Sequence, residues 1–256
     1  MRNKNLRRFF VEEIEAKDGF CSIVGPEARH ISKVLRMGPG DQFILVDRNG
    51  ARFLASIKSA SPREVWVALM KSLPKPSPSP VQIFLCQALL KSRQMDYLIQ
   101  KTSELGVNRI LPFSSERTVV NVKSDRTDNK LRHWREIAHG AATQSDRGAP
   151  AQIGLLSSFE ELIQQWKKEK VFKVILWEEE EAKDLKAVLR ASGPAKTVVG
   201  IVGPEGGFSK EEIQAARDAG FISVSLGRRV LRAETAALTL IAIVQYEWGD
   251  LSFGNV

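Results

Sequence analysis

Residues 197–212 read TVVGIVGPEGGFSKEE and residues 221–237 read FISVSLGRRVLRAETAA, and these two stretches decide the fold. Each begins with a short apolar run of the kind that forms a strand buried on both faces. A glycine-containing turn follows, and then a segment with helical periodicity. Ser209 and Glu212 have the spacing of a capping box, so a helix is expected to begin there. The pattern predicts two successive strand–loop–helix units.

The same rhythm extends back to residue 81. Strands that alternate with helices need crossover connections, so this region is expected to form an α/β fold with a mainly parallel sheet covered on both faces. The predicted strands are 81–86, 109–113, 171–177, 197–202 and 221–226. The predicted helices are 95–105, 127–145, 158–169, 181–190, 209–219 and 233–248.

The first third of the chain has a different organisation. Short strands are predicted at 42–47, 52–58 and 64–70, separated by turn signals, with a short helix at 26–37. Several short strands in so few residues favour a small β-barrel. The stretch PKPSPSP (74–80) favours an extended spacer. We therefore predict a barrel domain over 1–73, a linker over 74–80 and an α/β domain over 81–256.

Charge is concentrated in the first third. Residues 1–80 hold 14 lysines and arginines against 8 acidic residues, whereas residues 81–256 hold 24 against 22. This asymmetry indicates either a polyanionic partner for the first third or a basic surface without one. The hydrophobic content of 43% excludes a disordered chain. With no membrane-length apolar run and no signal peptide at the start, we expect a cytoplasmic protein.

Three strand ends carry distinctive loops, and ligands of open parallel sheets bind beyond the carboxyl ends of the strands. The loops are Leu176–Glu178, Gly203–Gly207 and Leu226–Arg232. The glycine-rich loop lacks the lysine and spacing of a phosphate-binding loop. Glu205, Glu211 and Glu212 also disfavour an anion there. This loop favours a neutral or cationic ligand held by main-chain atoms, or else it is a turn that serves only folding.

The third loop carries Arg228, Arg229 and Arg232 just before the predicted C-terminal helix. Cations are unfavourable at a helix N-terminus, and such conflicts between local rules are more frequent at functional sites. The arginines either act on a ligand or form a surface cluster paired with Glu205 or Glu234. The helix that follows is apolar all round, so it is expected to lie in a core or a subunit interface.

Cysteines and histidines indicate neither a metal site nor a covalent nucleophile. Cys21 and Cys86 are too few and too far apart for a disulfide framework or a zinc site, and Cys86 is expected to be a buried, inert thiol. His133 and His139 lie six residues apart on one predicted helix, which is a poor spacing for a metal. We expect no metal and no covalent intermediate.

In this order, the motifs resemble the SPOUT superfamily of RNA methyltransferases, and within it the family that methylates N3 of a uridine in 16S ribosomal RNA. The two most specific motifs of that family are matched by IVGPEGGFSKEE (201–212) and LGRRVLRAETAA (226–237). Its first helix–strand unit is similar to MDYLIQKTSELGVNRILP (95–112). Its RNA-binding barrel is similar to Arg8–Phe10 and RHISKVLRMGPGD (29–41).

The resemblance implies a fold class, a cofactor and an assembly. The fold is an α/β domain of the SPOUT type, with a mainly parallel sheet, flanking helices and a C-terminal trefoil knot, preceded by a small PUA-like β-barrel. The cofactor is S-adenosylmethionine, bent within the knot and held by backbone groups, and the protein is a homodimer. By position, the cofactor-binding residues are Leu176, Trp177, Gly203, Gly207, Leu226, Gly227, Val230, Leu231 and Arg232.

The reaction implied is methyl transfer to uracil N3, which must first lose its proton. Arg229 and Arg232 are expected to stabilise the charge that develops on O2 and O4. Glu234 or a water is the expected proton acceptor. Methylation at carbon 5 would usually need a nucleophilic cysteine, which these loops lack. The residues expected to bind RNA phosphates are Arg7, Arg8, Arg29, His30, Lys33 and Arg36.

Alternatives to this reading stay open. A ribose 2′-O methyltransferase of the same superfamily and a non-catalytic RNA-binding or ribosome-assembly protein would share the barrel. A nucleotide-binding α/β protein is disfavoured by the carboxylates around Gly203–Gly207. A further family motif is matched by Gln144, Ser145, Arg147 and Pro150, but Gly140 and Asp146 depart from it. The expected substrate is 16S ribosomal RNA, either free or in the small ribosomal subunit.

Overall fold

The computed structural model describes residues 6–47, 50–74, 78–120, 124–145 and 147–252. The chain divides into two compact units. The first runs to Pro78 and also contains Ala142–Pro150, and the second contains Ser79–Ala141 and the chain from Ala151 onward. Residues 75–77 of the predicted linker and the motif departure Asp146 lie outside the described residues. The predicted domain limits remain predictions. They did not anticipate that Ala142–Pro150 belongs to the first unit.

A curled five-stranded sheet with the order β1-β3-β4-β5-β2 forms the first unit. Only β1 and β3 pair in parallel. The core inside the sheet includes Phe9, Ile23, Phe43, Leu45 and Val67. Its strands are β1 (Arg8–Val11), β2 (Phe20–Val24), β3 (Gln42–Asp47), β4 (Arg52–Ala60) and β5 (Glu64–Leu73).

The three strands predicted in this unit are confirmed, and β1 and β2 are additional. The predicted helix 26–37 is shorter than expected. The α-helix α1 covers only Pro26–Arg29 and continues as a π-helical turn over His30–Val34. The right-handed path ends because Arg36 takes a positive φ of 52°.

The second unit contains a parallel sheet with the order β12-β10-β11-β6-β7-β8, and β9 also pairs with β7. Every strand pair in this sheet is parallel, as the alternating pattern predicted. Its strands are β6 (Gln82–Ala88), β7 (Arg109–Ser114), β8 (Gln152–Ile153), β9 (Ser157–Ser158), β10 (Phe172–Leu176), β11 (Thr197–Val202) and β12 (Ile222–Val224).

Helices cover both faces of this sheet, which confirms the predicted layering. The buried side chains of α2, α3, α5 and α7 share one core, and those of α4 and α6 share the other. Gly200 in β11 lets Leu240 of α7 pack directly against the strand, since a Cβ there would overlap that leucine. The helices are α2 (Ser92–Glu104), α3 (Ser124–Ser145), α4 (Phe159–Lys167), α5 (Leu185–Ser192), α6 (Lys210–Asp218) and α7 (Ala233–Trp248).

Local caps set the helix starts. The predicted capping box is confirmed: the Ser209 hydroxyl accepts from the Glu212 amide, and the Glu212 carboxylate accepts from the Ser209 amide. The predicted start of a helix at residue 181 is wrong by four residues. Asp184 caps α5 by accepting from the Ala187 amide at 2.8 Å, so the helix begins at Leu185.

Lys173 joins the ends of two helices on one face of the sheet. This buried side chain donates to the carbonyl oxygens of Trp166 in α4 and of Ala219 after α6, each at 3.0 Å. Carbonyls at helix C-termini lack intrahelical partners and carry partial negative charge, so an ammonium there is favourable. Lys173 therefore anchors both helices to β10.

We expect Lys173→Met to lower the free energy of unfolding by about 1–3 kcal/mol, since two helix ends lose a charged donor. Urea denaturation at neutral pH measures this change. Lys186→Met is the matched control, because Lys186 is exposed on α5, and its effect should stay within about 0.5 kcal/mol. Equal unfolding free energies for the two variants would contradict the anchoring role.

Candidate active site

Three loops meet where β10, β11 and β12 end. The order β12-β10-β11 makes these strands neighbours, so their carboxyl ends share one edge of the sheet. The main chain links the loops, because the Trp177 amide donates to the Val224 carbonyl at 3.0 Å and the Ser225 amide donates to the Lys183 carbonyl at 2.9 Å. A cavity of about 590 Å³ opens between them.

All residues predicted to bind cofactor or act in catalysis line this one cavity. The predicted cofactor residues on its wall are Leu176, Trp177, Gly203, Gly207, Leu226, Gly227, Val230, Leu231 and Arg232. The predicted catalytic residues there are Arg229, Arg232 and Glu234. Residues distant in sequence are thus brought together by the strand order, while their individual roles stay predictions.

Lys91 and Gln94 also line the cavity, and the sequence reasoning missed them. They lie just after β6, whose parallel partner is β11, so this strand ends at the same edge. The Lys91 ammonium lies 3.2 Å from the Glu205 carboxylate. The apolar run 81–86 marks a fourth strand end, but no local signal shows that this strand pairs with β11 and so ends beside the other three.

The glycine-rich loop and the start of α6 are held by hydrogen bonds to the segment that follows β7. The Glu212 carboxylate accepts from the Glu116 amide at 3.0 Å as well as completing its capping box. Arg117 donates to the Gly206 carbonyl at 3.3 Å. Gly207 has a positive φ of 69°, and a Cβ there would overlap the Glu178 carboxylate. The loop is therefore fixed, with Glu178 close to its main chain.

The arginine-rich loop presents its side chains to solvent and the cavity. Within the described part of the chain, Arg228, Arg229 and Arg232 form no ion pair, and Glu205 pairs with Lys91 instead. Among the described residues, the alternative of a surface cluster paired with Glu205 or Glu234 is therefore wrong. Val230, between these arginines, is 84% exposed.

A buried carboxylate supports the wall at Trp177. The Arg217 guanidinium lies over the Trp177 ring at 5.4 Å from its centroid, and it donates to Glu180 at 2.9 Å. Glu180 is 8% exposed and also accepts from the Ser223 hydroxyl. Burial alone would raise the pKa of Glu180, but hydrogen bonds from Ser223, the Ala182 amide and Arg217 outweigh it and lower that pKa. The network fixes Trp177 against the cavity.

Cys86 offers no nucleophile to this cavity. The thiol is fully buried in β6, and burial raises its pKa. Burial also raises the pKa of Cys21, in the first unit, to about 11. A thiolate is the reactive form of cysteine, so neither residue is activated.

His133 lies on α3, and its Nε2 atom is 2.9 Å from the Asp96 carboxylate on α2.

The residues predicted to bind RNA lie in the first unit. Arg7, Arg29, His30, Lys33 and Arg36 are exposed. Arg8, in β1, is half-buried and has an interaction partner. Arg29 and His30 border a shallow groove of about 340 Å³, whose other walls are Gly25, Pro26 and Val34.

In the second unit lies Gly140, one of the two residues that depart from the family motif. It is exposed on α3, with open space around it.

Comparison with known proteins assigns the family. A sequence profile of the RNA methyltransferase domain matches residues 77–245, and a profile of the RNA methyltransferase PUA domain matches residues 23–70. The chain belongs to this RNA methyltransferase family. The assignment confirms the resemblance inferred from the motifs, and with it the SPOUT-type α/β fold and the PUA-like barrel.

Named members of the RNA methyltransferase family match along nearly their whole length. Ribosomal RNA small subunit methyltransferase E of Mesomycoplasma hyopneumoniae is 33% identical over 91% of this chain and 96% of that protein. The protein of the same name from Bacillus subtilis is 28% identical over 94% of this chain and 97% of its own length.

Solved structures of family members superpose closely on the chain. Ribosomal RNA small subunit methyltransferase E of Neisseria gonorrhoeae, solved bound to S-adenosylmethionine, has a TM-score of 0.88 at 31% identity and covers 96% of this chain and 100% of that one. A methyltransferase from Legionella pneumophila, solved with bound S-adenosylmethionine, has a TM-score of 0.88 at 32% identity, covering 96% and 99%.

Two further features bear on the class of protein. In the part of the chain that the structure describes, no helix has both the length and the hydrophobicity to cross a bilayer. Among the same residues, no group of three or more His, Cys, Asp and Glu side chains is arranged to hold a metal ion.

We expect Glu180→Gln to lower the free energy of unfolding at pH 7 by about 1–3 kcal/mol, since Arg217 and Ser223 lose an ionised partner. Because the folded-state pKa is lowered, the carboxylate stabilises the fold above its unfolded pKa, and the contribution is lost as the pH falls through the folded pKa. The variant should therefore show a flatter pH dependence below about pH 5.

Urea denaturation followed by tryptophan fluorescence at several pH values measures the effect of Glu180→Gln. The neighbouring exposed Glu181 provides the control, and Glu181→Gln should keep the wild-type pH profile. An unchanged profile for Glu180→Gln would show that the buried network does not stabilise this wall.

Proposed function

We propose that this protein transfers a methyl group from S-adenosylmethionine to N3 of a uridine in 16S ribosomal RNA of the small subunit. The observation that carries the proposal is the convergence of three loops on one cavity lined by main-chain atoms, carboxylates and arginines. Relatives named for methylation of small-subunit ribosomal RNA, which match over nearly their whole length, support this substrate.

The cavity suits S-adenosylmethionine in size, donors and charge. Its volume of about 590 Å³ falls within the range of about 300–1,000 Å³ that is typical of ligand sites. Among the described residues, the main chain of Leu226, Gly227 and Leu231 makes no hydrogen bond. Its N–H and C=O groups are therefore available to the adenine of the cofactor. The Glu178 carboxylate on the wall favours a cation. The bound cofactor supplies a methyl group on positively charged sulfur.

The arginines of the third loop stabilise the reacting base. Uracil N3 attacks only after its proton leaves, and negative charge then spreads onto O2 and O4. Arg229 and Arg232 border the cavity and form no ion pair in the described chain, so their guanidiniums donate to those oxygens. Glu234, in the first turn of α7, accepts the N3 proton directly or through a water. Pre-positioned donors of this kind lower the barrier because they need no reorganisation.

Nitrogen is the acceptor that these residues suit. Displacement at a methyl group needs chiefly positioning, with the reacting atoms about 3–3.5 Å apart. Methylation at carbon 5 would need a thiolate, and burial raises the pKa of Cys86 while leaving it outside the cavity wall. The arginines instead suit an ionised amide nitrogen, whose charge lies on two oxygens.

The RNA chain is held by its phosphates. The residues we assign to them are Arg7, Arg8, Arg29, His30, Lys33 and Arg36. Phosphate contacts give affinity and register rather than base identity, so the target uridine leaves its stack to enter the cavity. With ribosomal RNA as its substrate, the protein acts in the cytoplasm.

A second copy of the chain completes the site. Val230 stands on the cavity wall, and Tyr246 lies on the side of α7 opposite its buried residues. They are 84% and 63% exposed, respectively, although both are large and apolar. A partner subunit that covers Val230 would bury surface beside Arg229 and Arg232, and one that extends along α7 would also cover Tyr246. We therefore propose that the active form is a homodimer.

We expect the purified protein to convert a uridine of undermethylated small subunits to 3-methyluridine in the presence of S-adenosylmethionine. Mass spectrometry of digested ribosomal RNA identifies the product, and calorimetry measures cofactor binding. A 2′-O-methylated nucleoside would instead assign the protein to ribose methylation. Absence of any cofactor binding would indicate a non-catalytic RNA-binding protein.

We expect Arg229→Ala to lower the rate of methyl transfer by about 100- to 1,000-fold, the usual effect of removing one donor to a developing oxyanion. Cofactor affinity should change little, because the guanidinium acts on the base. Single-turnover methylation and calorimetry separate the two effects. Arg190→Ala, at an exposed position on α5, serves as the control. A normal rate for Arg229→Ala would move this role to another residue.

A further inference from the structure

Two aromatic rings stack on the outer face of the barrel sheet. Phe20 in β2 and Trp66 in β5 have parallel rings, with 5.9 Å between centroids and 1° between planes. Their neighbours along each strand, Cys21, Val65 and Val67, point into the core, so the two rings lie on the outside. Trp66 is 39% exposed although it is the larger ring. Aromatic surface is therefore presented to solvent on this side of the barrel sheet.

The exposed apolar surface continues along β2 from this aromatic pair. Ser22 and Val24 follow Phe20 at the alternate positions of the strand, and Val24 is 64% exposed. The next residues, Gly25 and Pro26, are walls of the shallow groove that Arg29 and His30 border. Phe20, Trp66, Val24 and this groove thus form one strip, which we call the β2 strip.

Cations flank the β2 strip at both ends. Lys17 is paired directly opposite Phe20 across a tight turn, so both side chains leave the same face. Lys58 is the extra residue of a bulge beside Trp66, because Ile57 pairs with Val67 while Ser59 pairs with Trp66. Arg29 and Lys33 are exposed at the other end.

The Glu64 carboxylate also lies on this face. It is paired directly opposite Val24 and accepts a hydrogen bond from the Ser22 hydroxyl at 2.5 Å. A carboxylate repels phosphate but accepts hydrogen bonds from base amino and imino groups. Its position therefore suits the base side of a bound strand, while the lysines and Arg29 suit the phosphate side.

We propose that the β2 strip binds unpaired nucleotides of the RNA substrate, with a base stacked on Trp66. Aromatic faces on a sheet, combined with flanking cations, are the features by which proteins hold single-stranded nucleic acid. A base inside a duplex has no free face to offer the indole, so the strip selects a loop or a single strand. The basic character of residues 1–80 favours RNA over a protein partner. The proposal rests on the proposed function only in taking RNA as the substrate.

Equilibrium binding of the full chain to a single-stranded oligouridylate of about 12 nucleotides tests the proposal. We expect Trp66→Ala to weaken binding roughly 5- to 150-fold, the loss of one stacked base, and Trp66→Phe to restore part of the affinity. The dependence of log affinity on log salt should keep its slope in Trp66→Ala. In Arg29→Ala the slope should fall by about 0.7, because one phosphate contact is removed.

Met70→Ala is the matched control, since Met70 is also an exposed apolar residue of β5 and cannot stack as an aromatic ring does. It should bind as the wild type does. Equal affinities for Trp66→Ala and wild type, or an equal loss with a duplex of the same length, would overturn the proposal. Cofactor binding is measured on the same proteins. A wild type that binds the oligonucleotide through Trp66 but does not bind S-adenosylmethionine would contradict the proposed function and support the proposal for the β2 strip.

Discussion

The parallel pairing of β10 with both β11 and β12 is the constraint on which the site depends. Val174 in β10 is in register with Gly200 in β11 and with Ile222 in β12. Each of these three strands ends two residues further along the chain. Three loops therefore leave the sheet side by side, and residues that are some fifty positions apart in sequence face one cavity. Side chains from outside the loops, such as Glu212 and Arg217, then fix the loops in place.

Local signals were sufficient to predict the α/β layers and most of the cavity wall. Apolar runs bounded by glycines marked the strands, and the box at Ser209 and Glu212 marked the start of α6. Prediction was weaker where two local signals competed. The helix predicted from residue 181 begins only at Leu185, because Asp184 caps it, and Glu180 instead accepts a hydrogen bond from Arg217. That bond joins residues 37 positions apart, which no periodicity reveals.

The features that sequence could not supply are pairings between distant segments. Lys91 reaches the cavity because β6 pairs with β11, and strand order cannot be read from a run of apolar residues. The stack of Phe20 on Trp66 depends on the register of β2 with β5, and β2 was not predicted as a strand. Both features arise from strand register, which is set by packing of the whole sheet rather than by neighbours in sequence.

The distribution of charge follows from the two ligands that such an enzyme must hold. A sulfonium cofactor favours carboxylates and neutral main chain, whereas an RNA strand favours dense positive charge. A cavity dominated by lysines would repel the first, and one dominated by acids would repel the second. In this chain residues 81–256 are nearly neutral and the surplus of cations lies in residues 1–80. Most of the charge that binds RNA can therefore be carried by residues 1–80, and in the cavity only Arg232 is assigned to both ligands.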